Sequence, residues 1–170
     1  THPPIEHPLF HFRQLWLAEE SDSAPHKISL EDLVDSAQVE GDLILQLDVE
    51  GKEYEAILAA SSEVLSRFRV IVIELHDFTS ICSPMGNRLI RSFLLHLRNT
   101  HFPIHAHANN SSRPLAIEEM VIPNIVEITL VRSDSYVEKK GYSDLPHPLD
   151  APSSSIKDWV PRFPSDIGTK

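Results

Sequence analysis

The chain has 170 residues, 25 acidic and 15 basic, with a formal charge of −10 when histidine is neutral. At roughly 100–200 residues per domain this is one domain or a large piece of one, and 41% hydrophobic residues exclude general disorder. The acidic balance argues against nucleic-acid binding, which needs a basic stripe; no apolar run nears the ~18 residues of a membrane span; and a single cysteine, Cys82, excludes an intrachain disulfide and a cysteine-built zinc site.

Residues 1–26 are rich in Pro and His and read as an irregular arm. Residues 1–20 hold no apolar leader segment, so a soluble, cytoplasmic protein is expected. Thr rather than Met at position 1 points to processing or to a longer chain. Ser29 followed by Asp32 is a capping-box pattern, which predicts a helix over 29–38. Gly41 ends that unit, and 42–48 reads as a buried strand. Lys52 to Phe68 is helical in composition, with Ile57, Leu58, Val64, Leu65 and Phe68 toward the core. Residues 69–74 are β-branched and continuous, the clearest strand. Pro84 suits the first turn of a helix whose apolar stripe is Leu89, Ile90, Phe93, Leu94 and Leu97. His96 and His101 read as the surface of that helix and of the turn after it. Residues 102–107 and 124–132 are the last two strands, and 133–170 is a proline-rich tail packed on the domain 27–132.

Strands alternating with helices imply right-handed crossovers and a mostly parallel α/β sheet. The last two strands have no helix between them, so the final one is free to run antiparallel. Ligands in open α/β sheets sit beyond the carboxyl ends of the strands. The first strand ends in Asp48-Val-Glu50-Gly51, the second in Glu74-Leu-His76-Asp77, and the third in His105-Ala-His107-Ala-Asn109-Asn110. The last ends in Val131-Arg132 and offers only a cation. A lone Asp after a strand is commonly a turn former and a lone His a hydrogen-bonded structural residue. Agreement among three successive strands favours a cleft. The five glycines, at 41, 51, 86, 141 and 168, are nowhere closer than ten residues. A P-loop or G-x-G-x-x-G turn is therefore excluded.

The stretch Leu45-Gln-Leu-Asp48-Val-Glu50-Gly51-Lys-Glu53-Tyr-Glu55 resembles the Asp-Val-Glu-Gly-Ala-Glu-Tyr-Glu signature of FkbM-type methyltransferases. Residues 28–33 resemble that family's lead-in, and 72–76 its next strand. His105-Ala-His107-Ala-Asn109-Asn110, the block 126–132 and the tail 145–152 are similar to a subgroup of it. The resemblance implies the Rossmann-like fold of class I S-adenosylmethionine-dependent methyltransferases, with this chain supplying its fourth to seventh strands. The last of these strands is antiparallel, and the N-terminal half is missing. The glycine-rich cofactor turn of the family has no counterpart, so the chain alone is expected to bind S-adenosylmethionine weakly, and no cofactor-binding residue is assigned.

The implied activity is methyl transfer to a sugar or similar small hydroxyl acceptor. In it Asp48 lies nearest the methyl group, His107 or His76 is the base, Glu50 and Glu74 orient, and Asn109 hydrogen-bonds the acceptor. No metal is assigned in this reading. The alternatives are a non-catalytic interaction domain derived from a methyltransferase and a metal-binding, hydrolase-like domain using Asp48, His76 and His107. An exposed edge at strand 42–48 implies a homodimer, or coverage by residues 1–26.

Overall fold

The computed structural model describes residues 7–21, 26–135, 147–148 and 150–156. Ser29 caps α1 (Leu30–Ala37), its Oγ accepting the Asp32 N–H at 3.1 Å. The Asp32 carboxylate turns not to the cap's backbone but to the hydroxyls of Ser29 and Ser21. The Ser29 N–H donates to Ser21 Oγ at 2.9 Å, so the arm completes the cap. The helix expected over 52–68 is two helices, α2 (Glu53–Ala59) and α3 (Ser62–Ser66). Ala60 leaves helical geometry, and Ser61 opens α3 by accepting the Val64 N–H at 3.2 Å. A serine pair inside an apolar-periodic run is a stop-and-restart signal, because the hydroxyl caps better than it sits mid-helix. Pro84 opens α4 (Pro84–Arg98) as the sequence predicts, and Ser83 caps it, its Oγ accepting the Gly86 N–H.

The main sheet holds β3 (Leu43–Leu47), β4 (Phe68–Leu75), β5 (His101–Asn109) and β8 (Ile125–Arg132) in the order β3-β4-β8-β5. Two short ribbons stand apart from it: β1 (Trp16–Leu17) with β2 (Lys27–Ile28), and β6 (Leu115–Ile117) with β7 (Met120–Ile122). The expected mostly parallel sheet is corrected to a mixed one. β3 and β4 are parallel, but β8 is antiparallel to both of its neighbours, β4 and β5. The connection from β5 to β8 carries the β6–β7 ribbon and no helix among the described residues. Without a crossover helix, β8 returns antiparallel and takes the slot between its predecessors. β3 forms one edge. Residues 16–17 pair with 27–28 and do not cover it.

Buried residues of all four helices join one cluster with the sheet: Leu30, Val34, Ile57, Leu65, Ile90, Phe93 and Leu97 meet Leu45, Leu47, Ile71, Ile73, Leu75 and Leu130. Strand alternation sends Gln46, Val72, Glu74, Glu127 and Thr129 to the opposite face. One irregularity in β5 decides which face its histidines take. Phe102 pairs with Val131 and Pro103 with Leu130, yet His105 pairs with Thr129, so Ile104 is an extra residue. Proline cannot donate to the ladder and sits on an edge strand beside this bulge. Without Ile104 bulged out, His105 and His107 would turn into the helix-covered core.

His96 and His101 are not the surface residues expected. His96 Nε2 is 2.8 Å from the Ala60 carbonyl. His101 is fully buried, its Nε2–H donating to the Phe68 carbonyl at 2.8 Å and its Nδ1 2.8 Å from Thr100 Oγ1. Burial is the main force that pushes the His101 imidazole below its ordinary 6.5, against the pull of the Phe68 carbonyl. The unfolded chain therefore takes up this proton more readily than the folded one. The stability that neutral His101 provides is full above pH 6.5 and is lost as pH falls below it. His101→Gln keeps a donor for Phe68 and removes the titration. The stability of the wild type relative to this variant, read by urea melts, should decline as pH falls below 6.5. A constant difference would show that His101 does not titrate in this way. Among the described residues no helix is long and apolar enough to cross a membrane.

Candidate functional site

The turn after β3 is built from its sequence. Glu50 and Gly51 both take left-handed backbone, φ 53° and 98°, and the Lys52 N–H closes on the Val49 carbonyl at 3.3 Å. Two successive positive φ values are what a tight turn of this kind requires, and Gly51 takes its share without strain. Glu50 bears the unfavourable conformation, as does Asp77 (φ 52°) after β4. Glu53, at the start of α2, holds the turn from inside. It is fully buried, and its Oε1 accepts the N–H of Val49 at 3.2 Å and of Gly51 at 3.1 Å.

The same Oε1 lies 2.8 Å from His76 Nδ1. Tyr54 anchors the other side of this junction, donating its hydroxyl to the His76 carbonyl at 3.0 Å and packing edge-on to Phe93. His76 is thereby fixed at the end of β4, with Nε2 3.3 Å from Glu50 and 3.7 Å from Glu74. Burial pulls the His76 imidazole down. The hydrogen bond to Glu53 and the charges of Glu53, Glu50 and Glu74 outweigh it, so the net shift is upward. Burial raises the Glu74 carboxyl, and repulsion from Asp48 and Glu127 adds to it against His76.

Across the sheet, Glu74 pairs with Glu127 and Glu127 with His107, which places all three in one row on the face away from the core. His107 is buried, with Nδ1 3.5 Å from Glu127 Oε2. Asn109, also buried, bridges two strands by donating its amide to Glu74 at 3.3 Å and to Glu127 at 3.1 Å. Asp48 stands exposed at the end of β3 beside this row. The structure thus places Asp48, Glu50, His76, His107 and Asn109 at one edge of the sheet. A ligand atom from each of Asp48, Glu53 and His76 lies within 4.8 Å of the others; His107 is not in that set.

Two acids escape the strand-end reading. Glu127 lies near the amino end of β8, which the antiparallel direction brings to the carboxyl ends of β4 and β5. Arg132, expected among the strand-end residues, sits instead at the far edge, bonded to Asp42, Asp134 and the Ser66 carbonyl. Its helix-free connection was the signal that could have found Glu127. Glu53 is the second Glu of the Asp-Val-Glu-Gly-Lys-Glu block, but its burial is tertiary. The tail also reaches the site. Asp150 Oδ1 is 2.8 Å from His105 Nε2, Ser153 donates to Glu127, and the Ser154 N–H donates to Asn110. Burial pushes the Asp150 carboxyl up, but the His147 N–H and His105 outweigh it and hold the group below its usual range. An apolar cavity of about 280 Å³ lies elsewhere, between α4 and the core face of the sheet, lined by Phe93, Leu97, Pro103 and Leu130 among others.

A sequence model of the methyltransferase FkbM domain matches residues 18–102, half of the chain. The match includes Asp48, Glu50, Glu53, Glu74 and His76 and ends before His107, Asn109 and Glu127. No curated protein and no solved structure matches the chain. The Asp-Val-Glu-Gly-Lys-Glu turn, the acidic and imidazole groups at the strand ends and the matched span agree: the chain belongs to the FkbM methyltransferase domain family.

Proposed function

We propose that the chain forms the acceptor side of an S-adenosylmethionine-dependent O-methyltransferase, acting in the cytoplasm on a sugar or similar small hydroxyl compound. The row Glu74–Glu127–His107, with Asp48 beside it at the carboxyl edge, carries this reading. S-adenosylmethionine, when bound, supplies a methyl group on a cationic sulfonium. The residues fit that charge: Asp48, Glu50, Glu74 and Glu127 make the edge electronegative, and among the described residues none of them is paired with lysine or arginine. Asp48 is the carboxylate assigned to the sulfonium side. His107 takes the proton of the acceptor hydroxyl as the general base, and Glu127 holds its Nδ1 side. Asn109, donating its amide to Glu74 and Glu127 and accepting the Ser111 N–H, positions these two carboxylates beside the acceptor. The outer edge of β3 is the pairing surface for a homodimer.

The test is transfer of label from methyl-labelled S-adenosylmethionine to a panel of monosaccharides and other polyols by the intact protein. Labelled methyl ether in an acceptor, lost in His107→Gln, is the expected result. Label found only on nitrogen or carbon acceptors would overturn the hydroxyl assignment, and no transfer to any acceptor would overturn the catalytic one. The 170-residue chain alone is expected to bind S-adenosylmethionine weakly by calorimetry, because no two of its glycines are close enough to form a cofactor turn.

A further inference from the structure

The carboxyl edge gathers more negative charge than the described residues neutralise. Asp48, Glu50, Glu53, Glu74 and Glu127 are all at or beside it. Among the described residues their ion-pair partners are His76 and His107, and none is lysine or arginine. A second, independent observation lies in the interior. Glu53 is fully buried, and while its Oε1 serves Val49, Gly51 and His76, its Oε2 has no hydrogen-bond partner among the described residues. A buried carboxylate oxygen left without a partner is costly, and such groups are normally satisfied by a donor or a cation. His76 Nδ1 and Glu53 Oε1 lie 2.8 Å apart, so a cation held by both takes the place of the proton between them.

We infer that Asp48, Glu53 and His76 bind one divalent transition-metal cation, with Glu50 and Glu74 flanking it. One ligand atom from each of the three lies within 4.8 Å of the others, a spacing that a single cation closes with small side-chain movements. Two carboxylate oxygens and one imidazole nitrogen form the mixed donor set that suits manganese, iron or zinc and leaves further positions open. Calcium and magnesium prefer all-oxygen sites. Asp48 is exposed, so the open positions face solvent. The site goes beyond methyl transfer and stands without it.

The experiment is titration of the 170-residue chain with Mn²⁺, followed by calorimetry and by the loss of the free-ion electron paramagnetic resonance signal, with no cofactor or acceptor present. One saturable site is expected. Asp48→Asn and His76→Gln should each weaken binding at least ~10-fold. Glu53→Gln disturbs the turn that Glu53 holds, so circular dichroism accompanies it and the other two variants decide. A chain with His2, His7 and His11 replaced by alanine should bind as the wild type does. Absence of saturable binding, binding that survives both Asp48→Asn and His76→Gln, or binding lost with the three arm histidines would overturn the site. Because nothing in the readout involves methyl transfer, failure of that function leaves this result unchanged.

Discussion

Asp48→Asn is expected to lower the rate of methyl transfer by at least ~10²-fold, about 2.7 kcal/mol in barrier, and to leave the fold as stable as before. The side chain is exposed at the end of β3, on the face away from the core, and its charge repels Glu74. Removing its charge therefore costs no packing and relieves a like-charge contact. What it removes is a fixed negative group at the edge that the proposed function assigns to a cationic donor. Saturating Mn²⁺ in the assay separates its two assigned roles. The deficit persists if Asp48 acts on the sulfonium, and it recovers if Asp48 only holds a metal. Full activity in Asp48→Asn, with or without metal, would remove Asp48 from the site.

Gly86→Ala should destabilise the fold by about 2–3 kcal/mol, although alanine is the better helix former by up to ~1 kcal/mol. Gly86 is buried in the first turn of α4, and a Cβ there would lie 2.2 Å from the Ser80 carbonyl oxygen and 2.6 Å from its carbon. These are backbone atoms of the 3₁₀ turn Phe78–Cys82, so no rotamer change can relieve the clash. The helix must tilt or the turn must open. Tilting α4 lifts Ile90, Phe93 and Leu97 from the core, which is why the steric cost exceeds the propensity gain. Against a typical total of about 5–15 kcal/mol this is a large loss. A urea midpoint equal to or above that of the wild type would show that the turn yields without disturbing the helix.

How much of this site the sequence discloses differs from residue to residue. Asp48, Glu50 and His76 are legible because they follow apolar runs, and a strand's end is a local property. Glu53 is not, since a Glu in the first turn of a helix is commonly a solvated group favoured by the helix dipole. Only the left-handed turn at Glu50 and Gly51, folding back over α2, buries it and points the Val49 and Gly51 N–H groups at it.

The amino-acid sequence by itself determined what short-range rules govern: the capped start at Ser29, a strand over 69–74, Pro84 in the first turn of a helix, the absence of a glycine-rich phosphate turn and the acidic character of the chain. Each depends on neighbours within a few residues or on composition. The tertiary structure alone decided the placement of β8 between β4 and β5, because pairing of strands about 50 residues apart is set by which slot buries Val126 and Leu130 best. That placement made the sheet mixed, with the last strand antiparallel as the helix-free connection implied, and delivered Glu127 to the site in place of Arg132. It also decided the face of the β5 histidines. Alternation counted from Phe102 would bury His105 and His107 against the helices, and the extra residue at Ile104 reverses them. A bulge answers to the ladder of the partner strand, so a one-residue shift invisible in the sequence of β5 determines which imidazoles reach the carboxylates.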